Sequence, residues 1–426
     1  MEEIRLQTEN NSGFCDIEIR AALEKSLMEY RGKLKKVLLI PPDFTRLYSG
    51  AGKIIALYYE MLREECQIHI MPALGTHEAM TEKEIKAFFG ENIPLDCILV
   101  HKWREDVREI GEIPADFVKE VSDGLIYEPI KVEINKYLLD PSYDLIISIG
   151  QVVPHEVVGL ANYSKNILVG CGGRDMINKS HMIGAFYGAE RIMGRDFSPV
   201  RKVFDYAEKN FLSRLPIKYV LTVTTNTGDK TNLHGLFIGR SRKLFEEAVK
   251  LSQRYNVNFV EKPLKKVVAY LDEREFRTTW VGNKSIYRSR MAIADGGELI
   301  VLGAGIRKFG EDEGNDELIR KYGYCGRETV LELCKTQEDL QNNLSVAAHL
   351  IHGSADGKFS ITYAVKNISR EEIEGVGYRY MTYEEACNRY SPEKLKDGYN
   401  TLDNGEVIYY ISNPALGLWA ARENFE

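Results

Sequence analysis

At 426 residues, with 44% apolar and 28% charged side chains, the chain has the make-up of a globular protein too long for one core, so two domains are expected. A formal charge of −7 excludes general nucleic-acid or membrane-surface binding, but not an anionic small substrate gripped by a few arginines. Seven scattered cysteines without a Cys-x-x-Cys pair, no basic-then-apolar leader after Met1 and no apolar run of bilayer length predict a soluble, cytoplasmic protein.

The first predicted strand, residues 36–40, ends in Pro41-Pro42-Asp43-Phe44-Thr45-Arg46. A helix over 54–65 follows, with Ile55, Leu57, Tyr58, Met61 and Leu62 on one face. The strand at 68–74 runs into Gly75-Thr76-His77, and Thr81-Glu82-Lys83-Glu84 has the capping-box pattern of a helix over 81–89. Short apolar runs at 97–101, 144–150, 166–170 and 219–225 read as further strands, and 242–255 as a helix. Strand alternating with helix implies an α/β fold with a mostly parallel sheet, in which chemistry gathers at the carboxyl ends of strands. A second, smaller α/β domain is expected from the strands at 264–270, 298–305 and 359–365, with an acidic loop at 311–316. The predicted division is therefore 1–263, 264–400 and a terminal segment 401–426.

Taken singly, the polar motifs have ordinary readings. Asp43 suits a helix cap, Arg46 a solvated charge, His77 a packing residue beside a helix start, and Lys165 a strand-edge lysine. The run Gly170-Cys171-Gly172-Gly173 could present main-chain N–H groups to a phosphate, but Asp175 stands where a dinucleotide fingerprint requires glycine, which argues against a nicotinamide dehydrogenase. Neither His77-Glu78 nor His155-Glu156 is followed by the second histidine of a zinc-protease motif. Lys165, ten residues after His155 and sixteen before His181, would become neutral and nucleophilic if desolvated.

In combination, Asp43-x-Thr45-Arg46, Gly-Thr-His77, Pro-His155, Lys165 and Ser-His181 resemble, in order and spacing, the nickel-pincer-nucleotide-dependent lactate racemase family. The resemblance implies an N-terminal α/β domain and a C-terminal domain with the site in the cleft between them, the chain's end often returning to the first domain. It also implies a racemase or epimerase of 2-hydroxy acids carrying a pyridinium-3,5-bisthiocarboxylic acid mononucleotide with bound nickel, delivered by cofactor-synthesis enzymes. By the same resemblance Lys165 is the tether, His181 the nickel ligand, His77 and His155 the acid–base pair, and Arg46 a substrate-carboxylate contact. Asp43, Thr45, Gly170, Gly172 and Gly173 are then expected around the cofactor. The chemistry explains the residue types: hydride removal with a histidine taking the hydroxyl proton avoids a carbanion, and each enantiomer needs its own base.

The chain departs from the family at its substrate wall. The family's glycine pair ahead of the lysine is replaced within Leu160-Ala161-Asn162-Tyr163-Ser164. Its Tyr-Gln-x-x-Lys, whose lysine reaches the substrate carboxylate, has its counterpart in Tyr287-Arg288-Ser289-Arg290-Met291, and its Trp-Gln in Leu340-Gln341. Asn162, Tyr287, Arg288 and Arg290 are therefore expected at the substrate, which is expected to be a longer, polar 2-hydroxy acid such as an aldonate. The alternatives are lactate racemisation proper and a non-catalytic cofactor carrier or maturation protein of the same fold.

Overall fold

The computed structural model describes residues 3–124, 126–228 and 230–425. They divide into two compact units, one comprising everything described up to Ser180 together with Gly194–Asn256, the other His181–Met193 together with the chain from Val257 on.

The first unit is built on a six-stranded sheet. Its parallel half sets Lys36–Ile40 between Gln67–Ile70 and Leu145–Gln151, with Ile217–Thr227 parallel to the last of these. The hairpin to Lys230–Gly239 and the edge strand Ile4–Gln7 then reverse direction. Leu145–Gln151 is buried along its whole length, which is why it reads as a continuous apolar run rather than an alternating one. The helix Ala51–Leu62 lays Ile54, Ile55, Tyr58 and Leu62 on this sheet, and Glu82–Phe89 starts at the expected capping box on Thr81. The three parallel strands end side by side, so the loops holding Asp43, His77 and His155 leave from one edge of the sheet.

Two predicted strands are different structures. Residues 97–101 make only an isolated bridge, Ile70 to Ile98, after a 3₁₀ turn at Leu95–Cys97. Residues 166–170 belong to the helix Ser164–Leu168 and its exit, because the chain turns sharply at Tyr163 and the Asn166 amide then donates to Ile40 O and Ser148 Oγ. A short apolar run does not distinguish a buried strand from a buried helical turn.

The second unit has its own six-stranded sheet, parallel except for the edge pair Gly398–Thr401 and Val407–Ile411. The acidic residues at 311–316 are not a loose loop. Asp312 caps the helix Glu313–Tyr322, and Asp316 accepts from the N–H groups of Phe309 and Gly310. Near the chain's end, Val407–Ile411 pairs with Leu264–Tyr270, and Leu418–Ala421 with Val257–Val260, all within the second unit, which begins a few residues before the predicted boundary at 263. Main-chain bonding along these apolar strands fixes the chain's end there.

Candidate active site

In the first unit the loop after Lys36–Ile40 turns on Asp43, whose Oδ1 accepts from Thr45 N (3.1 Å) and Thr45 Oγ1 (2.6 Å). Its Oδ2 lies 2.5 Å from His77 Nδ1. A carboxylate there requires a proton on Nδ1, so His77 offers the lone pair of Nε2 and is poised as a base. Thr45 thus orients the aspartate that orients the histidine.

His155 sits in a two-residue strand, buried, under different control. Its Nδ1 accepts from Val157 N (3.1 Å) and lies 3.4 Å from Glu156 Oε2. Accepting from the main chain at Nδ1, the neutral ring carries its proton on Nε2, the reverse of the arrangement at His77.

Lys165 joins these two arrangements. Burial first, then the Arg46 guanidinium and Arg201, holds its ammonium down to about 7, against opposition from Glu156 and Asp43, the carboxylates beside the two histidines. An amine so desolvated is largely neutral near pH 7 and in its nucleophilic form.

The approach to Lys165 shows how the chain manages without the glycine pair. Asn162 and Tyr163 are both left-handed, with φ of 67° and 58°, and Tyr163, at ψ −137°, lies in a region that only glycine occupies cheaply. Fully buried Arg201 clamps the turn, donating to the carbonyls of Leu160 (2.8 Å) and Asn162 (3.3 Å) and to Ser164 Oγ (3.2 Å). Tyr163 donates to Arg240 O (2.7 Å) and packs on Tyr219 and Phe245. Asn162 Oδ1 accepts from Tyr163 N (2.7 Å), a turn-making contact, and its amide packs against Gly150. Asn162→Gly is therefore expected to change stability by less than about 1 kcal/mol, and Asn162→Val to lower it by about 2 kcal/mol, as read from denaturant midpoints. Equal losses in both variants would show that the left-handed backbone is not what Asn162 supports.

The glycine turn is not an open phosphate cradle. The N–H groups of Gly170, Cys171, Gly172 and Gly173 already donate to the carbonyls of Lys165, Ile167, Val169 and Glu133. A Cβ on Gly172 would fall 1.8 Å from Leu168 O, and one on Gly170 2.7 Å from Ala73 Cβ, so these glycines serve close packing. His101, which no motif singled out, locks the turn from behind: Asn135 donates to its Nδ1 (2.9 Å), and Nε2–H donates to Gly172 O (3.2 Å). Burial pushes His101 down to about 4, so it stays a neutral brace.

In the second unit the segment aligned with the family's substrate motif is occupied internally. Tyr287 packs with Met193, Met291 and Leu418. Arg288 is fully buried and donates to the carbonyls of Ala415 and Gly417, while Arg290 pairs with Glu190 (2.8 Å) and Asp356 (2.9 Å). Gln341 is exposed and Leu340 is core. Lys284, 8% exposed, stands four positions after Trp280. An aromatic followed at that distance by lysine is the spacing of Tyr-Gln-x-x-Lys, and this signal was available in the sequence. His181, on the helix Arg174–Tyr187, belongs by its contacts to this unit and acts electrostatically on His349.

Comparison with known proteins supplies the context. Residues 5–193 match the family model described as the lactate racemase N-terminal domain. A lactate racemase from Thermoanaerobacterium thermosaccharolyticum is 25% identical over 341 residues, covering 74% of this chain and 73% of that protein. A crystal structure from Thermotoga maritima superposes with a TM-score of 0.83 at 24% identity, over 97% of this chain and all of that one. The lactate racemase apoprotein from T. thermosaccharolyticum gives a TM-score of 0.66 at 17% identity, over 94% and 92% of the two chains. At these identities the two structures speak for the fold. Among the described residues no helix is long and apolar enough to cross a membrane.

Proposed function

We propose, from the match of residues 5–193 to the lactate racemase N-terminal domain and the 25% identity to a lactate racemase, that the chain inverts C2 of a 2-hydroxy acid by reversible hydride transfer. The observation that carries this reading is the convergence on Lys165: its amine feels both Asp43, which orients His77, and Glu156, which neighbours His155.

The residues fit the family's cofactor. An amine neutral near pH 7 is suited to capturing an acyl-type carbon, and Arg46 and Arg201 favour an anionic ligand beside it. Among the described residues no three His, Cys, Asp or Glu side chains gather as metal ligands. Nickel held here would take its donors largely from an organic group, with His181 as the protein's contribution. Such a nucleotide, when bound, supplies an electrophilic carbon able to take hydride and give it back. The chain's own residues do the rest. His77 removes the hydroxyl proton through Nε2, with Asp43 stabilising the imidazolium. His155 returns a proton to oxygen when the opposite enantiomer forms, and the roles exchange in reverse. Arg46 holds the carboxylate. A polar acid such as an aldonate is proposed as the substrate alongside lactate, and the panel below separates the two.

Inversion in heavy water is the test. With histidines handling only the O–H proton, C2 should invert without acquiring deuterium, read by NMR or mass spectrometry of the product on a panel of 2-hydroxy acids. Deuterium at C2 would mean proton abstraction from carbon and would overturn the mechanism. A holoprotein that inverts no member of the panel would favour the cofactor-carrier alternative.

A further inference from the structure

Arg201 lies in the first turn of the helix Pro199–Ala207, where the cap Ser198 accepts from Arg201 N (3.0 Å). Its side chain is buried completely, and its hydrogen bonds all reach neutral oxygens, those of Leu160 O, Asn162 O and Ser164 Oγ. Among the described residues no carboxylate is in ion-pair contact with it. Asp205, one helical turn further on, is the carboxylate that acts on it most, yet Asp205 Oδ2 is committed to Arg242 Nε (2.8 Å), and Arg242 faces Arg201 with a like charge. The Phe245 ring meets the guanidinium at 4.4 Å.

Burying a cation without an ion-pair partner is costly, and the turn it holds does not require one. Left-handed backbone at positions 162 and 163 would come easily to glycine, with no clamp. A buried cation here therefore does something that glycine could not. Ser164, which Arg201 holds, immediately precedes Lys165. On the other side Asn166 donates to Ile40 O (3.3 Å) and Ser148 Oγ (3.0 Å), so the main chain of Lys165 is pinned through both neighbours.

We propose that Arg201 is the positioning residue of the Lys165 amine: its fork fixes the turn that carries the amine, and its unneutralised charge disfavours a second cation there. Burial acts first on the Lys165 ammonium, then Arg46, and Arg201 adds to both, while Glu156 and Asp43 oppose them. His155 and His77, the neighbours of those two carboxylates, are unchanged in every variant compared below. The inference rests on the reading of Lys165 as the reactive amine, but its test needs neither cofactor nor substrate.

Competitive trace acetylation of the full chain with acetic anhydride over a pH series, quantified by mass spectrometry on the Lys165 peptide, gives the midpoint at which that amine becomes reactive. The wild-type midpoint should be about 7. In Arg201→Gln, which can still donate to the turn but has no charge, it should rise by about one pH unit. Arg201→Lys, which keeps the charge and loses the fork, should raise it less while lowering thermal stability. An unchanged midpoint in folded Arg201→Gln would reduce Arg201 to a structural clamp and overturn the proposal. Equal rises in the two variants would overturn it as well, because the charge would not be what acts. Should neither variant fold, Asp205→Asn leaves the fork in place and removes the countercharge, so the midpoint should fall; one that stays or rises counts against the proposal. Each of these failures leaves the racemase reading intact, since burial and Arg46 could still prepare Lys165. A cofactor-loaded chain that inverts no 2-hydroxy acid would overturn that reading, and the labelling midpoints would still support the assignment of Arg201.

Discussion

Asp43→Asn is expected to lower kcat about 10²–10⁴-fold in both directions of the reaction while changing KM only a few-fold, although Asp43 is assigned no contact with the reacting atoms. The carboxylate at 2.5 Å from His77 Nδ1 enforces the tautomer in which Nε2 is the unprotonated, basic nitrogen, and it stabilises the imidazolium formed when the substrate proton arrives. An asparagine amide can donate to Nδ1, which shifts the ring proton to Nε2 and removes the base. His77→Gln should do comparable damage, and the double variant little more, because both changes disable one unit. Initial rates from each enantiomer, with circular dichroism to confirm folding, decide the matter. A loss confined to KM would assign Asp43 to binding instead.

Lys165→Met is expected to abolish the covalent adduct and turnover, yet to raise thermal stability at neutral pH. The sign follows from the direction of the shift. The folded-state pKa, about 7, lies below the ordinary lysine value of 10.5, so the unfolded chain binds more protons between those values. Folding of the wild type is therefore penalised most below pH 7, and the penalty fades as pH rises toward 10.5. Methionine fills similar space without the charge. The Tm advantage of Lys165→Met should be largest near pH 6–7 and shrink steadily toward pH 10. A difference that is flat with pH would mean the amine is not desolvated. Intact mass of protein made with the cofactor-synthesis enzymes checks the tether separately, since an adduct surviving in Lys165→Met would place it on another residue.

Much of this protein was written in local sequence. The strands Lys36–Ile40, Leu145–Gln151 and Ser360–Val365 and the capped helix after Thr81 follow from β-branched runs and a capping box, signals that act within a few residues and survive folding unchanged. The titratable set Asp43, His77, His155 and Lys165 was legible too, because each falls just after an apolar strand or at a fixed spacing from another member. What the sequence could not determine was which donors were already committed. Gly170 to Gly173 read as a phosphate cradle until the carbonyls of Lys165, Ile167, Val169 and Glu133 were found to occupy their N–H groups. Arg288 and Arg290 read as substrate contacts until their guanidiniums were found bonded to Ala415, Gly417, Glu190 and Asp356. Glu133, Glu190, Asp356, Ala415 and Gly417 are remote in the chain from the groups they bind, and only packing brings them together. The same reason applies to Asn162 and Tyr163, whose left-handed backbone no propensity predicts and whose strain is borne by Arg201 and Arg240, residues that only the tertiary fold sets beside them.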